Sequence, residues 1–191
     1  MRATLAGIVL AGCTLTSQAP PLELRYFSPE PRAWPTKHDE RAPRAVLRLG
    51  RITLAPHLHE AIVHRDSDVE LAPYETLRWS DPPDAYVRYA VDREIFGASH
   101  VEQAVVGDAP VLDLEVAAFE EVRRGAGRFG RVELRYVVRD DHRVIARGIV
   151  ATERPASNAS IEAVVAAVAA ALDASAAELA SRVEAAICPP G

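Results

Sequence analysis

The chain has few cysteines and no apolar run of the length that a membrane-spanning helix requires. Cys13 and Cys188 are the only cysteines among 191 residues. If Cys13 is modified, Cys188 has no partner within the chain, so we expect no internal disulfide, and Cys188 is a free thiol or pairs between chains. A spanning helix needs about 20 consecutive apolar residues. The alanine- and valine-rich stretch at 161–172 includes a glutamate and stops at Asp173.

An excess of positive charge is also missing. The chain has 22 basic and 27 acidic residues, which gives a formal net charge of −5, and Lys37 is the only lysine. Loss of Arg2 with a cleaved leader makes the remaining chain more negative by one unit. Since an acidic protein has no general attraction to nucleic acid, we expect no nucleic-acid partner.

Recognisable catalytic motifs are absent as well, including the Gly-x-Ser-x-Gly and Walker sequences. His57 and His59 could share one side of a strand, but a zinc site needs three or four ligands, so we interpret them as surface histidines. Glu120 and Glu121 are interpreted as a strand end, because strand neighbours point to opposite faces. The glycines at 125–127 lie between strands and do not open a helix. We predict no enzyme, no cofactor and no metal.

The N-terminus has the order of a lipoprotein signal peptide. A positive start at Arg2 precedes a short apolar run, and Leu10-Ala11-Gly12-Cys13 looks like a bacterial lipobox. In such a sequence the cysteine thiol is acylated, with palmitate for example, and the chain is cut just before it. An ordinary secretory signal with a chance cysteine is the alternative. We predict a signal peptide at 1–12 and lipid attachment at Cys13.

The remaining domain limits follow from this cleavage site. Residues 13–21 are predicted to be a lipidated tether, 22–188 a single α/β domain, and 189–191 a short tail.

Position 14 is threonine, where aspartate retains many Gram-negative lipoproteins at the inner membrane. Thr14 therefore favours the periplasmic face of the outer membrane.

Alternation of apolar and polar residues predicts a mainly antiparallel sheet. In one stretch Leu112 and Leu114 alternate with Asp113 and Glu115, as in a strand with one wet face. The predicted strands are 22–28, 45–54, 61–65, 69–73 and 101–106, followed by a three-strand antiparallel meander over 111–152.

Two helices are predicted, one after each group of strands. The first begins with Asp81 as its N-cap and Pro82 in the first turn, and runs to about Phe96, with Gly97 as the stop. The second begins near residues 157–158. The order of strands and then a helix, given twice, is a possible strand-strand-helix pseudo-repeat. We predict an α/β (α+β) domain with both helices packed on one face of the sheet, the other face being wet or covered by a partner.

Two aromatic residues are candidates for contact with a partner or a lipid. Trp79 directly precedes the first helix, and Tyr74 lies five residues earlier. The alternative for both is a place at the edge of the core, where Trp79 would lock the entry to the helix.

The order of several segments resembles that of the ABC-type transport auxiliary lipoproteins (PqiC-like). Two departures are Tyr26-Phe27, where tyrosine-leucine is usual, and His64, where tyrosine is common. The segments that carry the resemblance are the lipobox 10–13, Leu24-Arg25-Tyr26-Phe27, residues 49–58, Ile62-Val63-His64-Arg65, Tyr74 and Arg78-Trp79-Ser80-Asp81-Pro82.

This resemblance implies an α/β sandwich and a non-catalytic role in an MCE-type lipid transport system. In such systems an ABC transporter and an MCE-domain protein move phospholipid or other hydrophobic molecules across the periplasm. The implied partner is the MCE-domain protein, docked at the outer membrane, with Cys13 as the lipid anchor; a homo-oligomer is left open. The alternative is a structural lipoprotein of an envelope assembly or secretion complex without lipid cargo.

Overall fold

The computed structural model describes residues 22–29 and 44–188. The predicted signal peptide, the tether with Cys13 and the tail 189–191 lie outside the described residues.

Within the described residues, four strands and a helix follow one another twice, so the predicted order is confirmed. The predicted strands are all present, although the fourth extends to Trp79 and the fifth ends at Gln103. The first group is β1 (Arg25–Phe27), β2 (Ala45–Leu54), β3 (Ala61–Arg65), β4 (Leu71–Trp79) and α1 (Pro83–Asp92), which continues as a π-helical turn over Arg93–Gly97. The second group is β5 (Val101–Gln103), β6 (Val111–Arg124), β7 (Gly127–Arg139), β8 (Val144–Pro155) and α2 (Ile161–Ile187).

The sheet is built around β6, the longest strand. One edge of β6 pairs antiparallel with β7 along its whole length, and β7 pairs antiparallel with β8. The other edge is shared between two parallel strands, β2 on the first half and β3 on the second. β5 extends the sheet beyond β2, while β4 and then β1 extend it beyond β3. The long antiparallel ladders confirm the mainly antiparallel sheet, and the parallel pairings are short.

A β-bulge at Ala117 changes which side chains of β6 face the helices. Val116 pairs with Leu134 and Ala118 pairs with Glu133, so Ala117 has no opposing residue. The extra residue reverses the alternation for the rest of the strand. As a result Phe119 joins the core face that Val116 occupies before the bulge.

Both helices pack on that same face, as predicted. The Phe119 ring stacks on Tyr86 of α1, with ring centroids 6.2 Å apart. Val132 of β7 pairs with Phe119, and Gly130 lies on the same face two residues earlier. A Cβ atom at Gly130 would lie 2.2 Å from the backbone nitrogen of Val168 in α2.

Helix α2 is a core helix of 27 residues. Contrary to the sequence expectation, its length and composition are sufficient for a membrane span, because the apolar stretch continues past Asp173. In the fold it packs against β7 and β8. Leu179 and Val183 are fully buried there.

The helix starts differ from the sequence prediction. Pro82, not Asp81, is the N-cap of α1, and no side chain caps that end. The backbone N–H of Asp81 instead donates to the Tyr86 hydroxyl at 3.0 Å, which holds the entry segment against the helix. In α2 the Ser160 hydroxyl is the cap and accepts from the Ala163 N–H at 3.2 Å. Side-chain oxygens at this position satisfy N–H groups of the first turn.

Candidate functional site

Two consecutive buried carboxylates form the most unusual feature of the sheet. Glu120 is 0 % exposed and Glu121 is 1 % exposed. Glu120 pairs with Arg131 and Glu121 with Gly130, so the two side chains lie on opposite faces, as predicted. The interpretation as a strand end is wrong, because β6 continues to Arg124.

Glu120 lies on the face away from the helices and is held by two arginines. Its carboxylate accepts hydrogen bonds from Arg65 Nε at 2.7 Å and from Arg65 Nη2 at 3.3 Å. Arg131 Nη1 lies 3.8 Å from the same carboxylate. The hydrogen bond to Glu120 raises the pKa of Arg65 above its ordinary value. A buried charge is tolerated only when it is paired in this way.

Glu121 lies on the helix face and has three partners. The Tyr74 hydroxyl donates to its Oε2 at 2.5 Å, and Arg123 Nε and Arg128 Nε lie 3.2 and 3.1 Å from its Oε1. Arg123 also donates to the Tyr74 hydroxyl oxygen. Burial, followed by the hydrogen bond to Glu121, raises the pKa of Tyr74, so the phenol keeps its proton. The His64 ring packs edge-on against Tyr74, with centroids 4.9 Å apart.

A cleft of about 350 Å³ lies beside these carboxylates, between the β3–β4 loop and the β6–β7 turn. Its arginines are already paired: Arg123 with Asp66 at 3.2 Å, and Arg124 with Glu153 at 2.6 Å. The charges therefore compensate one another and connect β3, β6, β7 and β8. This arrangement is a structural network in which both carboxylates lie against arginine side chains.

The structure separates the two aromatic candidates. Trp79 is 1 % exposed, and its ring lies edge-on to Phe119 at 5.1 Å and to Tyr86 at 6.4 Å. Its indole is part of the core at the start of α1 and is not exposed for a partner. Tyr74 is half-buried, with its hydroxyl in the Glu121 cluster.

The other residues considered from sequence lie apart from this cluster. His57 and His59 are both exposed, in the loop between β2 and β3 and not on a strand. No group of three or more potential metal ligands occurs in the part of the chain that the structure describes. Cys188 is half-buried at the end of α2 and is in no disulfide with a described residue. Cys13 lies outside the described residues.

The first described residues enter the sheet from one particular end. β1 is parallel to β4, with Arg25 opposite Leu77. β4 in turn begins at Leu71, which pairs with Arg65 at the end of β3. The chain therefore reaches β1 from the end of the sheet that carries the β3–β4 loop and the β6–β7 turn. We call this the entry end; the β5–β6 loop and the β7–β8 turn form the far end.

The far end carries exposed apolar side chains that sequence reasoning missed. Val105 is 85 % exposed and Val106 80 % exposed, in the loop after β5. Val46 of β2 is also exposed and lies opposite Glu102 of β5. We call these three valines the valine tip. The sequence predicts a strand over 101–106, because the β-branched Val105 and Val106 continue the strand pattern, whereas β5 ends at Gln103.

The open eight-stranded sheet with both helices on one face defines a mixed α/β protein. The chain belongs to the family described as the ABC-type transport auxiliary lipoprotein component, whose profile matches residues 27–180. The resemblance found in the sequence is therefore confirmed. Such a component is a membrane-anchored protein of the cell envelope that is associated with an ABC transport system. No curated protein matches the chain.

Solved structures with low sequence identity share the fold. Protein XCC0632 from Xanthomonas campestris, assigned to the family DUF330, is 23 % identical with a TM-score of 0.73, over 85 % of this chain and 96 % of that one. The hypothetical protein CT253 from Chlamydia trachomatis is 11 % identical with a TM-score of 0.55, over 76 % of this chain and 99 % of that one.

Proposed function

We propose that this protein docks the MCE-domain protein of an ABC lipid transporter at the outer membrane. In this proposal an acylated Cys13 anchors the protein to the periplasmic face of that membrane, and the folded domain makes the protein contact. Family membership supports the role in an ABC transport system. The MCE partner and the outer membrane are the further steps that the proposal adds.

The geometry of the chain entry supports an orientation relative to the membrane. Residues 13–21 join Cys13 to the first described residue, and nine extended residues span at most about 30 Å. Because the chain reaches β1 from the entry end, an anchor at Cys13 draws that end toward the membrane. The far end then faces the periplasm, from which an MCE assembly approaches.

The valine tip is the observation that carries the docking proposal. Val105 and Val106 are adjacent, and four-fifths or more of each side chain is exposed. Large exposed apolar side chains that cluster at one place mark protein contact sites, since their burial contributes about 25 cal/mol per Å². An apolar tip at the end opposite the anchor fits a partner that arrives from the other membrane.

The experiment is a pull-down from membranes with the full-length protein. Replacement of Val105 and Val106 by aspartate puts two charges into the contact, and we expect it to abolish co-purification of the MCE-domain protein. Val69→Asp is the matched control, because Val69 is 95 % exposed at the entry end. If the tip variant retains the MCE protein, the docking surface is wrong. If the wild type captures only secretion or outer-membrane assembly proteins, the structural-lipoprotein alternative replaces the proposal.

The anchor is tested separately with Cys13→Ala. We expect this variant to be soluble in the periplasm, since removal of the thiol removes the site of acylation. Fractionation of Cys13→Ala with membranes would show that something other than the lipid holds the protein there.

A further inference from the structure

Strands β1 and β8 form the two outer edges of the sheet. Within the described residues β1 pairs only with β4, and β8 pairs only with β7. The Phe27 carbonyl accepts from the Ser80 N–H on the β4 side, so the backbone groups of Tyr26 point outward, because these groups alternate along a strand. On β8 the Ile149 carbonyl points outward, since Arg182 of α2 donates to it at 2.8 Å. Free edges of this kind can pair with another strand.

The two edge strands run in opposite directions within one copy. β1 runs from the entry end toward the far end, whereas β8 begins after the β7–β8 turn at the far end and returns to the entry end. A second copy placed beside the first in the same orientation therefore presents its β1 antiparallel to the β8 of the first copy. The lipid anchors of both copies then lie at the same end, as the proposed membrane orientation requires.

We propose that β1 of one copy pairs antiparallel with β8 of a second copy of this chain, with Tyr26 opposite Ala151 of the partner subunit. The pairings within the sheet place these two residues at the same level along the strands, so the second copy needs no shift toward or away from the membrane. The successive levels are Tyr26 with Arg78, Arg78 with Ala61, Ala118 with Glu133 and Glu133 with Ala151, and Ala61 is level with Ala118 because Val63 pairs with Glu120.

Exposed apolar side chains of the two edges meet in this register. Tyr26 is 60 % exposed and Ile149 is 53 % exposed. Tyr26 lies on the face away from the helices, since its neighbour Arg25 contacts Glu162 of α2. Ile149 lies on the same face, since its neighbour Val150 is buried in the core. Diagonal neighbours on one face of a sheet are within reach of an aromatic side chain, so the Tyr26 ring can cover Ile149 of the partner subunit.

A charge pair at the entry end selects this register. When β1 continues in the extended conformation to Glu23, this residue lies opposite Arg154 of the partner subunit. Both side chains are exposed, and neither makes an ion pair within the part of the chain that the structure describes. A shift of two residues in one direction puts Arg25 opposite Arg154, and a shift in the other puts Glu23 opposite Thr152. Opposite charges across a strand pair stabilise it and like charges destabilise it.

Arg182 competes with the partner strand for one carbonyl. Its guanidinium donates to the Ile149 carbonyl, and Glu178 holds the same side chain with an Nη2–Oε1 distance of 2.5 Å. In the paired edge the Ile149 carbonyl accepts from the Ser28 N–H of the partner subunit, so Arg182 has to leave. Removal of Arg182 is then expected to strengthen the association, whereas a purely structural role of Arg182 predicts no gain.

The pairing is head-to-tail, because each copy uses β1 on one side and β8 on the other. Association of this kind continues from copy to copy, in a row or in a closed ring. The anchors of all copies lie toward the membrane, and the valine tips of all copies lie at the opposite end.

The test is disulfide cross-linking of the full-length chain in membranes, with Cys188→Ser in every variant. In the proposed register positions 26 and 151 form a hydrogen-bonded pair with Cα atoms about 5.5 Å apart, which suits a disulfide. A chain with both Tyr26→Cys and Ala151→Cys should give dimers and larger species after mild oxidation. Neither single variant should cross-link by itself, because each edge meets only the other edge, and the two co-expressed single variants should give dimers only. Tyr26→Cys with His142→Cys, in the exposed β7–β8 turn, is the control for random collision.

Charge variants of the doubly substituted chain test the register. Glu23→Arg puts like charges opposite each other and should lower the cross-linking yield roughly fivefold, and Arg154→Glu in the same chain should restore it. Arg182→Met should raise the yield. No multimer from the double variant, an equal yield from the His142→Cys control, a dimer from Ala151→Cys alone, or a yield insensitive to Glu23→Arg would each overturn the proposal. The disulfide does not involve the MCE-domain protein, so these outcomes are separate from those of the pull-down.

Discussion

Gly130→Ala tests how closely α2 lies on the sheet. An added Cβ would be 2.2 Å from Val168 N and 2.4 Å from the Ala167 carbonyl carbon, whereas real Cβ contacts below 3.0 Å essentially never occur. The clashing atoms are backbone atoms in the first half of a 27-residue helix. No side-chain rotation can relieve the contact, so the helix has to move away from β7.

The expected cost follows from this geometry. Overpacking in a dense core costs about 1–3 kcal/mol, and a backbone clash belongs at the upper end of that range. The stiffer unfolded chain offsets part of this cost. We therefore expect the free energy of unfolding to fall by about 2–3 kcal/mol, which lowers the Tm by roughly 4–12 °C for a domain of this size.

The assay is urea and thermal unfolding followed by circular dichroism. Gly148→Ala is the matched control in β8, because the three atoms nearest to a Cβ there belong to the Tyr136 side chain, at 3.0–3.1 Å, and a side chain can shift. We expect Gly148→Ala to change the free energy of unfolding by less than about 1 kcal/mol. Wild-type stability of Gly130→Ala, or equal losses for both variants, would refute the described packing of α2.

Three further predictions concern buried polar groups. Glu120→Ala leaves the Arg65 guanidinium without its carboxylate, and the free energy of unfolding should fall by about 3 kcal/mol in urea titrations; wild-type stability would contradict the ion pair. Tyr74→Phe removes the hydroxyl that donates to Glu121 and should cost about 1–2 kcal/mol in the same assay; no loss would contradict that hydrogen bond. Burial raises the pKa of Asp92, so the folded state binds this proton more tightly than the unfolded state, and the wild type loses stability as the pH rises through the interval between the two pKa values. Asp92→Asn should therefore melt higher than the wild type at pH 7, with a difference that shrinks at acidic pH; a difference independent of pH would contradict the shift.

The second half of the fold was predictable because its pairings are local. β6, β7 and β8 follow one another through short turns, so the alternation around Leu112 and Leu114 identifies both the strands and their partners. The apolar pattern of α2 likewise predicts a helix across the sheet, although Ser160 caps it a few residues later than expected.

The strand pairings of the first half could not be predicted, because they join residues that are far apart in the chain. β2 and β3 are consecutive in sequence but do not pair with each other; both lie along β6, about sixty residues further on. Nothing in either strand specifies that parallel partner. The bulge at Ala117 cannot be recognised in the sequence either. For a reader of the sequence alone, Glu120 and Glu121 therefore look like the polar end of a strand.

The candidate docking residues illustrate the same limit. Val105 and Val106 extend a strand pattern in the sequence, and only the fold shows that β5 ends at Gln103 and leaves both valines exposed. Trp79 is the opposite case: its place next to a helix start is compatible with an exposed contact site, but the fold buries its side chain. Its burial against Phe119 depends on a strand that lies forty residues away.

Site-specific photo-cross-linking in cells tests most directly whether the far end of the domain receives the transporter. A photoreactive residue in place of Val106 should capture the MCE-domain protein, and the same residue in place of Val69, at the entry end, should not. Capture from Val69 but not from Val106, or capture of no MCE-domain protein from either position, would contradict the account.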